Sequence, residues 1–343
     1  MAKILYGIMG NTHGHVMRSR AIMNAWRGHE FYIVGGGRVP DAFRDEKLVL
    51  ETPVLRTVHR NQSVDIGGVV KQISQRVLEI PRISKKILKV IETWQPDLAI
   101  CDREFFLPFA CRKAGLRCIS VNHSHVLLKC RYPVALDQRI SWALAMLNDH
   151  LLFNRTRENC IVSFFHPSLK NPQCDKLFSP VLRHEVLSTR ASRGDHILVY
   201  QTSATFPALI QVLENLKRPA IVYGFKNQWE RNKNITFKPY HQQSILEDLA
   251  SCAYAVVNGG HNLISEALFF GKPIFCFPIA NLFEQFLNAW YVRALGYGDF
   301  STARTPTEAL FYRFEKKLEQ FKIPPGDHFN STPKLVQYLE TLL

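Results

Sequence analysis

The chain has 343 residues, of which 46% are apolar, so it is long enough for two buried cores and ordinary in composition for a globular protein. Its formal net charge of +14 is uneven, because residues 1–180 contain 26 Lys and Arg against 15 Asp and Glu. The absence of any run of about 18 apolar residues argues against a membrane-spanning helix, and the basic half favours an anionic partner.

Strand-like and helix-like segments alternate through the first half of the chain. The opening MAKILYGIMG indicates a β-strand and not a signal peptide, because the apolar run is short and no small-residue cleavage site follows. Near-continuous apolar strands between helices predict a doubly wound, Rossmann-like α/β domain over residues 1–165. Its predicted strands are 3–9, 30–37, 96–102, 117–123 and 159–165, with helices at 15–27 and 104–115.

The periodicity weakens over residues 166–195, which are rich in Pro, Ser and charge and are predicted to link two domains. Alternation then resumes, so we predict a second Rossmann-like domain over 196–330 and a helix over 331–343 that returns to the first domain. Two such domains facing each other would form a cleft between the loops that follow their strands. The predicted elements are strands 196–204, 219–225, 235–240, 253–260 and 273–278, and helices 205–217, 242–251, 262–270, 284–295 and 306–320.

The stretch VVNGGHNLISEALFFGKPIFCFP (256–278) places two glycines between a strand and a helix. Gly259 and Gly260 allow a tight turn and a close approach, and the helix N-terminus favours a phosphate. Glu266, four residues after Asn262, could bind a ribose diol. Glu284, Gln285 and Asn288 follow the next strand and suit sugar hydroxyls, or else form an ordinary polar helix start.

The segment 258–290 resembles the donor site of GT-B nucleotide-sugar glycosyltransferases. The nearest families are the N-acetylglucosaminyltransferase that makes lipid II and the UDP-glycosyltransferases with an H-C-G-W-N-S-x-x-E segment. The resemblance implies that Gly259, Gly260 and His261 meet a diphosphate, Asn262 supports the loop, Glu266 binds ribose, Glu284 and Gln285 bind the sugar, and Tyr240 lies near the uracil. Thr202 and Ser203 either cap a helix or also bind the diphosphate. Asn258 and His261 depart from the plant-type pattern, which has His and Trp there.

The loop GNTHGHV (10–16) follows the first strand and supplies two candidate bases. A neutral histidine is suited to removing a proton from a hydroxyl near neutral pH, although either histidine could simply cap the helix. The loop resembles the first loop of GT-B enzymes, which favours His15 over His13. Asp102 ends a strand and is predicted to orient this histidine, or else to cap the next helix.

Arg18 is predicted to contact an anionic acceptor or to face solvent. His123 and His125 follow another strand and could line the acceptor pocket of the first domain. We predict no metal, because no Cys or acidic partner stands at ligand spacing and no D-x-D motif occurs. No cofactor is expected beyond the nucleotide sugar as co-substrate.

The segments KILYGIMGNTHGHVMRSRAI, PDLAICD and PVLRHEVL, together with the donor segment, also resemble a group of bacterial and archaeal glycosyltransferases of about this length. We therefore predict a metal-independent, inverting transfer from a nucleoside-diphosphate sugar, with UDP favoured, to a hydroxyl acceptor. A hexosyl or N-acetylhexosaminyl group would move. The alternatives are a nucleotide-sugar hydrolase or epimerase of the same fold and a non-catalytic nucleotide-sugar binding protein.

The basic stretch 69–94 combines a helical apolar stripe with six cations, and Pro81 is predicted to kink or split it. One face could lie on an anionic bilayer, as a lipid-linked or cell-envelope acceptor would need, or it could pack on the core. Nucleic acid is not expected, because no known nucleic-acid module is present. The eight cysteines form no C-x-x-C pair, which favours a cytoplasmic protein. If the basic stretch contacts a bilayer, the protein would be peripheral on the inner face of the cytoplasmic membrane.

Overall fold

The computed structural model describes residues 1–46, 48–55, 59–60, 63–64, 66–201, 206–225, 231–232 and 234–343. Their strands are β1 (Lys3–Ile8), β2 (Glu30–Gly35), β3 (Val49–Leu50), β4 (His59–Arg60), β5 (Ser63–Val64), β6 (Leu98–Asp102), β7 (Cys118–Asn122), β8 (Glu158–Val162), β9 (Asp175–Phe178), β10 (Ile197–Tyr200), β11 (Ala220–Tyr223), β12 (Arg231–Asn232), β13 (Ile235–Lys238), β14 (Tyr254–Val257), β15 (Ile274–Cys276) and β16 (Gly298–Phe300).

The helices of these described residues vary from single turns to one of 29 residues. They are α1 (His13–Ala25), α2 (Val39–Ala42), α3 (Ile66–Trp94), α4 (Leu107–Ala114), α5 (Val126–Lys129), α6 (Arg139–Leu152), α7 (His184–Ser188), α8 (Pro207–Asn215), α9 (Gln242–Ser251), α10 (His261–Phe269), α11 (Phe283–Ala294), α12 (Glu308–Glu315) and α13 (Thr332–Glu340), with 3₁₀ turns at Leu136–Gln138, Leu318–Gln320 and Gly326–Phe329.

The chain divides into two compact units. The first comprises Met1–Val58, Asp65–Arg183 and Ser331–Leu343, and the second comprises His59–Val64 and His184–Asn330. Each unit contains a seven-stranded sheet. The predicted class, two doubly wound parallel-sheet α/β units, is confirmed.

The first sheet has the strand order β3-β2-β1-β6-β7-β8-β9, and all its pairings are parallel. Helices α1 and α13 pack on one face, where Trp26 meets Leu335 and Leu339, and α3 and α4 pack on the other. Strand order reverses between β1 and β6, where Ile8 is in register with Asp102. This reversal opens a ligand-accepting crevice at the carboxyl ends of the strands.

The second sheet has the order β12-β13-β11-β10-β14-β15-β16, in which only β12 is antiparallel to its neighbour. Its order reverses between β10 and β14, where Tyr200 is in register with Val257. Helices α8 and α12 cover one face with apolar side chains such as Leu209, Leu213 and Phe311. The loop after β14 therefore lies at the reversal point of this sheet.

The segment 166–195 differs from the predicted linker. Within it, β9 pairs with β8 as an edge strand of the first sheet, and the division between the units falls after Arg183. The strand is only four residues long, DKLF, so it carries too few apolar residues for a periodic signal. Its buried Asp175 accepts a hydrogen bond from Asn159 Nδ2 at 2.7 Å, which fixes this edge by a polar contact.

Helix α3 is continuous through Pro81, which was predicted to kink or split it. Pro81 is exposed, so water can bind the carbonyl that loses its helical partner. Ile83, Ile87 and Val90 on the opposite side are buried in the core with α4. The apolar side chains of α3 from Ile83 to Val90 are therefore core packing, whereas its solvent face carries cations together with the exposed Val77 and Leu78.

Candidate active site

The reversal point of the first sheet brings the β1–α1 loop next to the end of β6. Gly10 makes this approach possible, because a Cβ atom there would lie 1.7 Å from the carbonyl oxygen of Gly36. His15 follows in the first turn of α1, and Asp102 is the last residue of β6. The tight loop and the parallel register thus place a histidine beside a fully buried carboxyl group.

His15 Nδ1 lies 2.7 Å from Asp102 Oδ1. An ionised carboxylate only accepts hydrogen bonds, so this shorter contact favours the tautomer with the proton on Nδ1 over the one that the 3.0 Å approach of Arg18 Nη2 to the same atom would favour. Nε2 then carries the lone pair. With its side chain 17% exposed, His15 is accessible enough to act as a base.

Arg18 holds the carboxylate from the next turn of α1. Its Nε and Nη2 atoms lie 3.0 and 2.8 Å from Asp102 Oδ2, and Nη2 lies 2.7 Å from Oδ1. Burial alone would raise the pKa of Asp102, but Arg18 and His15 outweigh it and hold the pKa below its usual range. Asp102 therefore stays ionised and can orient His15.

The structure corrects the prediction for Arg18, which was expected to bind an acceptor or face solvent. Its side chain is 4% exposed and is used in the buried ion pair with Asp102. The spacing of three residues from His15 places both side chains on one face of α1. Arg18 is therefore a positioning residue for the His15–Asp102 pair.

Glu104, and not Asp102, caps the helix that follows β6. Its Oε2 accepts hydrogen bonds from the backbone N–H groups of Phe106 and Leu107 at 2.7 and 2.5 Å, and Oε1 accepts one from Thr52 Oγ1 at 3.0 Å. Burial raises the pKa of Glu104 to about 7 despite these bonds. The capping role leaves Asp102 to the histidine.

His13 begins α1 and is half-buried. Burial and, to a lesser extent, the charge of Arg38 lower its pKa, so it is neutral near pH 7. Asp102 bonds to His15, Arg18 and Ser19. The geometry favours His15.

His123 and His125 are buried within the first unit, which corrects their prediction as acceptor-binding residues. His125 Nε2 donates to the Phe153 carbonyl oxygen at 3.2 Å, so Nδ1 accepts from Ser120 Oγ at 2.9 Å. Burial lowers its pKa to about 3. His123 Nδ1 donates to the Val162 carbonyl oxygen at 2.9 Å. These bonds make both histidines buried parts of the loop between β7 and α5.

The reversal point of the second sheet carries the glycine loop. Gly259 has φ of +100°, and a Cβ atom on it would lie 2.6 Å from the Gln285 carbonyl oxygen, so only glycine fits. Gly260 is the exposed N-cap of α10, with no atom within 4 Å of a Cβ placed there. The backbone before α10 is thus open to a ligand, at the helix end that favours anions.

Neutral carboxamides hold this loop in place. Asn288 Nδ2 donates to the Gly259 carbonyl oxygen at 2.9 Å, and Asn258 Nδ2 donates to Gln201 Oε1 at 2.6 Å. Gln285 Oε1 accepts from the Ile279 backbone N–H at 3.1 Å, which fixes the turn before α11. Gln201 is a support residue that the predicted site did not include, and Asn288, which was predicted beside sugar hydroxyls, supports the loop.

The other predicted donor residues lie on loops and helix starts at the same end of the second sheet. His261 and Asn262 begin α10, and their side chains approach each other at 3.3 Å, while the half-buried Glu266 follows on the same helix. Glu284 lies in the first turn of α11. Tyr240, two residues beyond β13, has its ring centroid 6.1 Å from that of Tyr200. Thr202 and Ser203 lie outside the described residues.

The described ranges contain no group of three or more His, Cys, Asp or Glu side chains suited to a metal ion. Nor do they contain a helix with the length and apolarity that crossing a bilayer requires.

Comparison with solved structures identifies the fold. SsfS6 from Streptomyces sp. SF2575, a glycosyltransferase solved with thymidine diphosphate, is 15% identical and covers 99% of this chain and 100% of its own, with a TM-score of 0.61. MurG from Acinetobacter baumannii is 12% identical over 99% of both chains, with a TM-score of 0.64. Two parallel-sheet units of this kind define the GT-B fold.

Sequence comparison then gives the family. Residues 2–317 match the family described as Glycosyl transferase family 1, and the chain therefore belongs to that family. An uncharacterized glycosyltransferase from Methanosarcina acetivorans is 25% identical and covers 99% of this chain and 92% of its own. The predicted likeness to GT-B glycosyltransferases, archaeal ones included, is confirmed.

Proposed function

We propose that this glycosyltransferase moves a sugar from a nucleoside-diphosphate sugar to a hydroxyl acceptor, without a metal and with inversion at the anomeric carbon. The observation that carries the proposal is the hydrogen bond of 2.7 Å between His15 and the buried, ion-paired Asp102. A histidine oriented in this way is a general base for a hydroxyl nucleophile.

The reaction follows from the two sites. His15 Nε2 takes the proton of the acceptor hydroxyl while its oxygen bonds to the anomeric carbon. The bond from that carbon to the diphosphate oxygen breaks, and the diphosphate leaves with the electron pair. The open backbone at Gly260 and the positive end of α10 stabilise the leaving charge. A single displacement inverts the configuration.

The donor is proposed to be a UDP-sugar carrying a hexosyl or N-acetylhexosaminyl group. The diphosphate lies at Gly259, Gly260 and His261, and Glu266 binds the ribose. Glu284 and Gln285 face the sugar, and Tyr240 lies near the base. Because SsfS6 was solved with thymidine diphosphate, dTDP is the alternative nucleotide to compare.

The acceptor is proposed to be a hydroxyl of a lipid-linked or cell-envelope glycoconjugate, met by a cytoplasmic protein at the inner membrane face. Support comes from the basic first half of the chain and the exposed cations of α3, such as Lys85 and Lys86. Positive charge attracts anionic lipid head groups and the phosphates of lipid carriers.

Binding and transfer are tested separately. UDP, dTDP and their sugars are first compared by thermal shift, since a ligand of the folded state raises the melting temperature. Transfer to a panel of hydroxyl acceptors is then measured for His15→Ala and Glu266→Ala, with His184→Ala as an exposed histidine control. We expect the first two to lose transfer and the control to retain it.

Full turnover by both His15→Ala and Glu266→Ala would refute the assigned roles. Incubation of the donor with the protein alone distinguishes the other activities. Free sugar would indicate a hydrolase, and a new sugar epimer an epimerase. Nucleotide binding without turnover on any acceptor would indicate a binding protein.

A further inference from the structure

Helix α6 carries a row of apolar side chains on its solvent side. Ile140, Leu144, Leu147 and Leu151, here called the α6 stripe, are between 41% and 79% exposed. Their spacing of four, three and four residues places them on one helix face. Leu136, in the 3₁₀ turn before α6, is 76% exposed.

The opposite face of α6 is fixed to the first unit, so the stripe cannot turn inward. Asp149 accepts hydrogen bonds from Arg103 at 2.9 and 3.0 Å, and the Arg103 guanidinium lies 4.0 Å from the centre of the Phe153 ring. Trp142 Nε1 donates to Tyr132 Oη, which itself donates to the Leu127 carbonyl oxygen of α5. The inner face is thus held by an ion pair and hydrogen bonds, while the stripe exposes large apolar side chains of the kind that a surface helix normally buries.

The charges that flank the stripe in sequence favour an anionic partner. Residues 103–157 contain nine Lys and Arg against three Asp and Glu, and two of those acids, Glu104 and Asp149, are buried. Exposed cations stand before and after the stripe in sequence, at Arg131, Arg139, Arg155 and Arg157. We propose that the α6 stripe and these four arginines dock on an anionic phospholipid bilayer.

A bilayer accounts for both halves of this surface. The apolar side chains enter the boundary of head groups and acyl chains, and the arginines reach the lipid phosphates. A second copy of the chain fits less well, because a two-fold contact centred on the stripe would bring identical arginines together. The exposed apolar row of α6 is longer than that of α3, where Val77 and Leu78 are exposed but Ile83, Ile87 and Val90 are buried in the core.

The inference rests on the proposed function only for its purpose, which is to bring the enzyme to a lipid-linked acceptor. Docking itself needs no turnover and can be measured without a substrate. The test is co-sedimentation of the full chain with phosphatidylcholine vesicles, with or without phosphatidylglycerol, at low and high salt. The stripe variant is Ile140→Ser with Leu147→Ser, and the matched control is Leu187→Ser with Leu295→Ser, which changes two partly exposed leucines of the second unit.

We expect the wild type and the control to sediment with phosphatidylglycerol vesicles at low salt, and the stripe variant to bind at least about tenfold more weakly. Arg139→Gln with Arg157→Gln should lose most of the preference for anionic vesicles, and high salt should do the same. The nucleotide thermal shift of the stripe variant should equal that of the wild type. If neither the wild type nor the stripe variant shows that thermal shift, the donor proposal is contradicted and the docking surface is unaffected.

Three results would overturn the inference. The wild type could remain in the supernatant with both kinds of vesicle, or the stripe variant could bind as the wild type does. Light scattering could also show a wild-type dimer that Ile140→Ser with Leu147→Ser converts to a monomer, which would assign the stripe to a second copy.

Discussion

The two sheets reverse strand order in the same way, yet the two reversal points differ in chemistry. The first holds the buried charges of Asp102 and Arg18 around a histidine, whereas the second holds its glycine loop with the neutral carboxamides of Asn258 and Asn288. A base needs a fixed carboxylate to select its tautomer. An anionic ligand needs N–H donors and no competing carboxylate at the loop. The same topology thus carries two chemically different sets of side chains.

The largest effect is expected when the carboxylate of Asp102 in the first site is replaced by a neutral group. Asp102→Asn should reduce kcat by about 10⁴, because an amide no longer selects the tautomer with the lone pair on Nε2. It should also lower the free energy of unfolding by about 3–5 kcal/mol, since Arg18 is left buried without its counter-charge. Transfer assays and urea unfolding measure the two effects. Unchanged stability would contradict the buried ion pair.

A comparison of variants of the two histidines tests whether the contact with Asp102 decides which histidine acts as the base. His15→Ala should reduce kcat by about 10²–10⁴, whereas His13→Ala should change it by less than about tenfold. The reason is that Asp102 orients His15. Single-turnover transfer rates with saturating donor separate the two variants. The assignment is wrong if His13→Ala has the larger effect.

The second site is tested by its two glycines, which are matched in size but not in surroundings. Gly259→Ala should lower stability by at least about 1–3 kcal/mol, because of its positive φ and the nearby Gln285 oxygen. Gly260→Ala should leave stability nearly unchanged and weaken nucleotide binding by about tenfold, since its methyl group enters the open space before α10. Thermal unfolding and calorimetry measure both. Equal nucleotide affinity in Gly260→Ala and wild type would contradict the proposal that the nucleotide binds at this loop.

The last expected effect is a pH dependence of stability that arises from Glu104, next to the first site. The pKa of Glu104 is raised to about 7 in the folded state, so the folded state binds more protons than the unfolded one between about pH 4.5 and 7. Stability from this group should therefore decrease as pH rises through that range, by up to a few kcal/mol. Glu104→Gln keeps the acceptor for Phe106 and Leu107 and should flatten the decrease. A slope unchanged in urea unfolding between pH 5 and 8 would exclude Glu104 as its source.

Sequence patterns predicted the fold well because each parallel strand is an apolar run bounded by turns. Strand β9 was not predicted because it is short, begins with polar residues and is held partly by the hydrogen bond between Asn159 and Asp175. Pro81 was weighted as a helix breaker, but tertiary packing of Ile83 and Ile87 overrides local propensity.

The sites were predictable only in part. Residue type and strand ends pointed to His15, Asp102 and the glycine loop, but burial is not visible in the pattern S-V-N-H-S-H, so His123 and His125 could not be assigned to the core. A signal for Arg18 did exist, namely its spacing of three residues from His15. The apolar composition of ISWALAMLNDHLL was equally visible, although it does not tell which face is covered.

The position of helix α13 at the end of the first unit affects how the chain folds during translation. Leu335 and Leu339 complete the core around Trp26. These two residues are translated after the whole of the second unit. Domains generally fold as they emerge, so the later unit can finish first while the earlier one waits for its closing segment. Nascent chains stalled before position 331 should therefore leave the first unit open to protease.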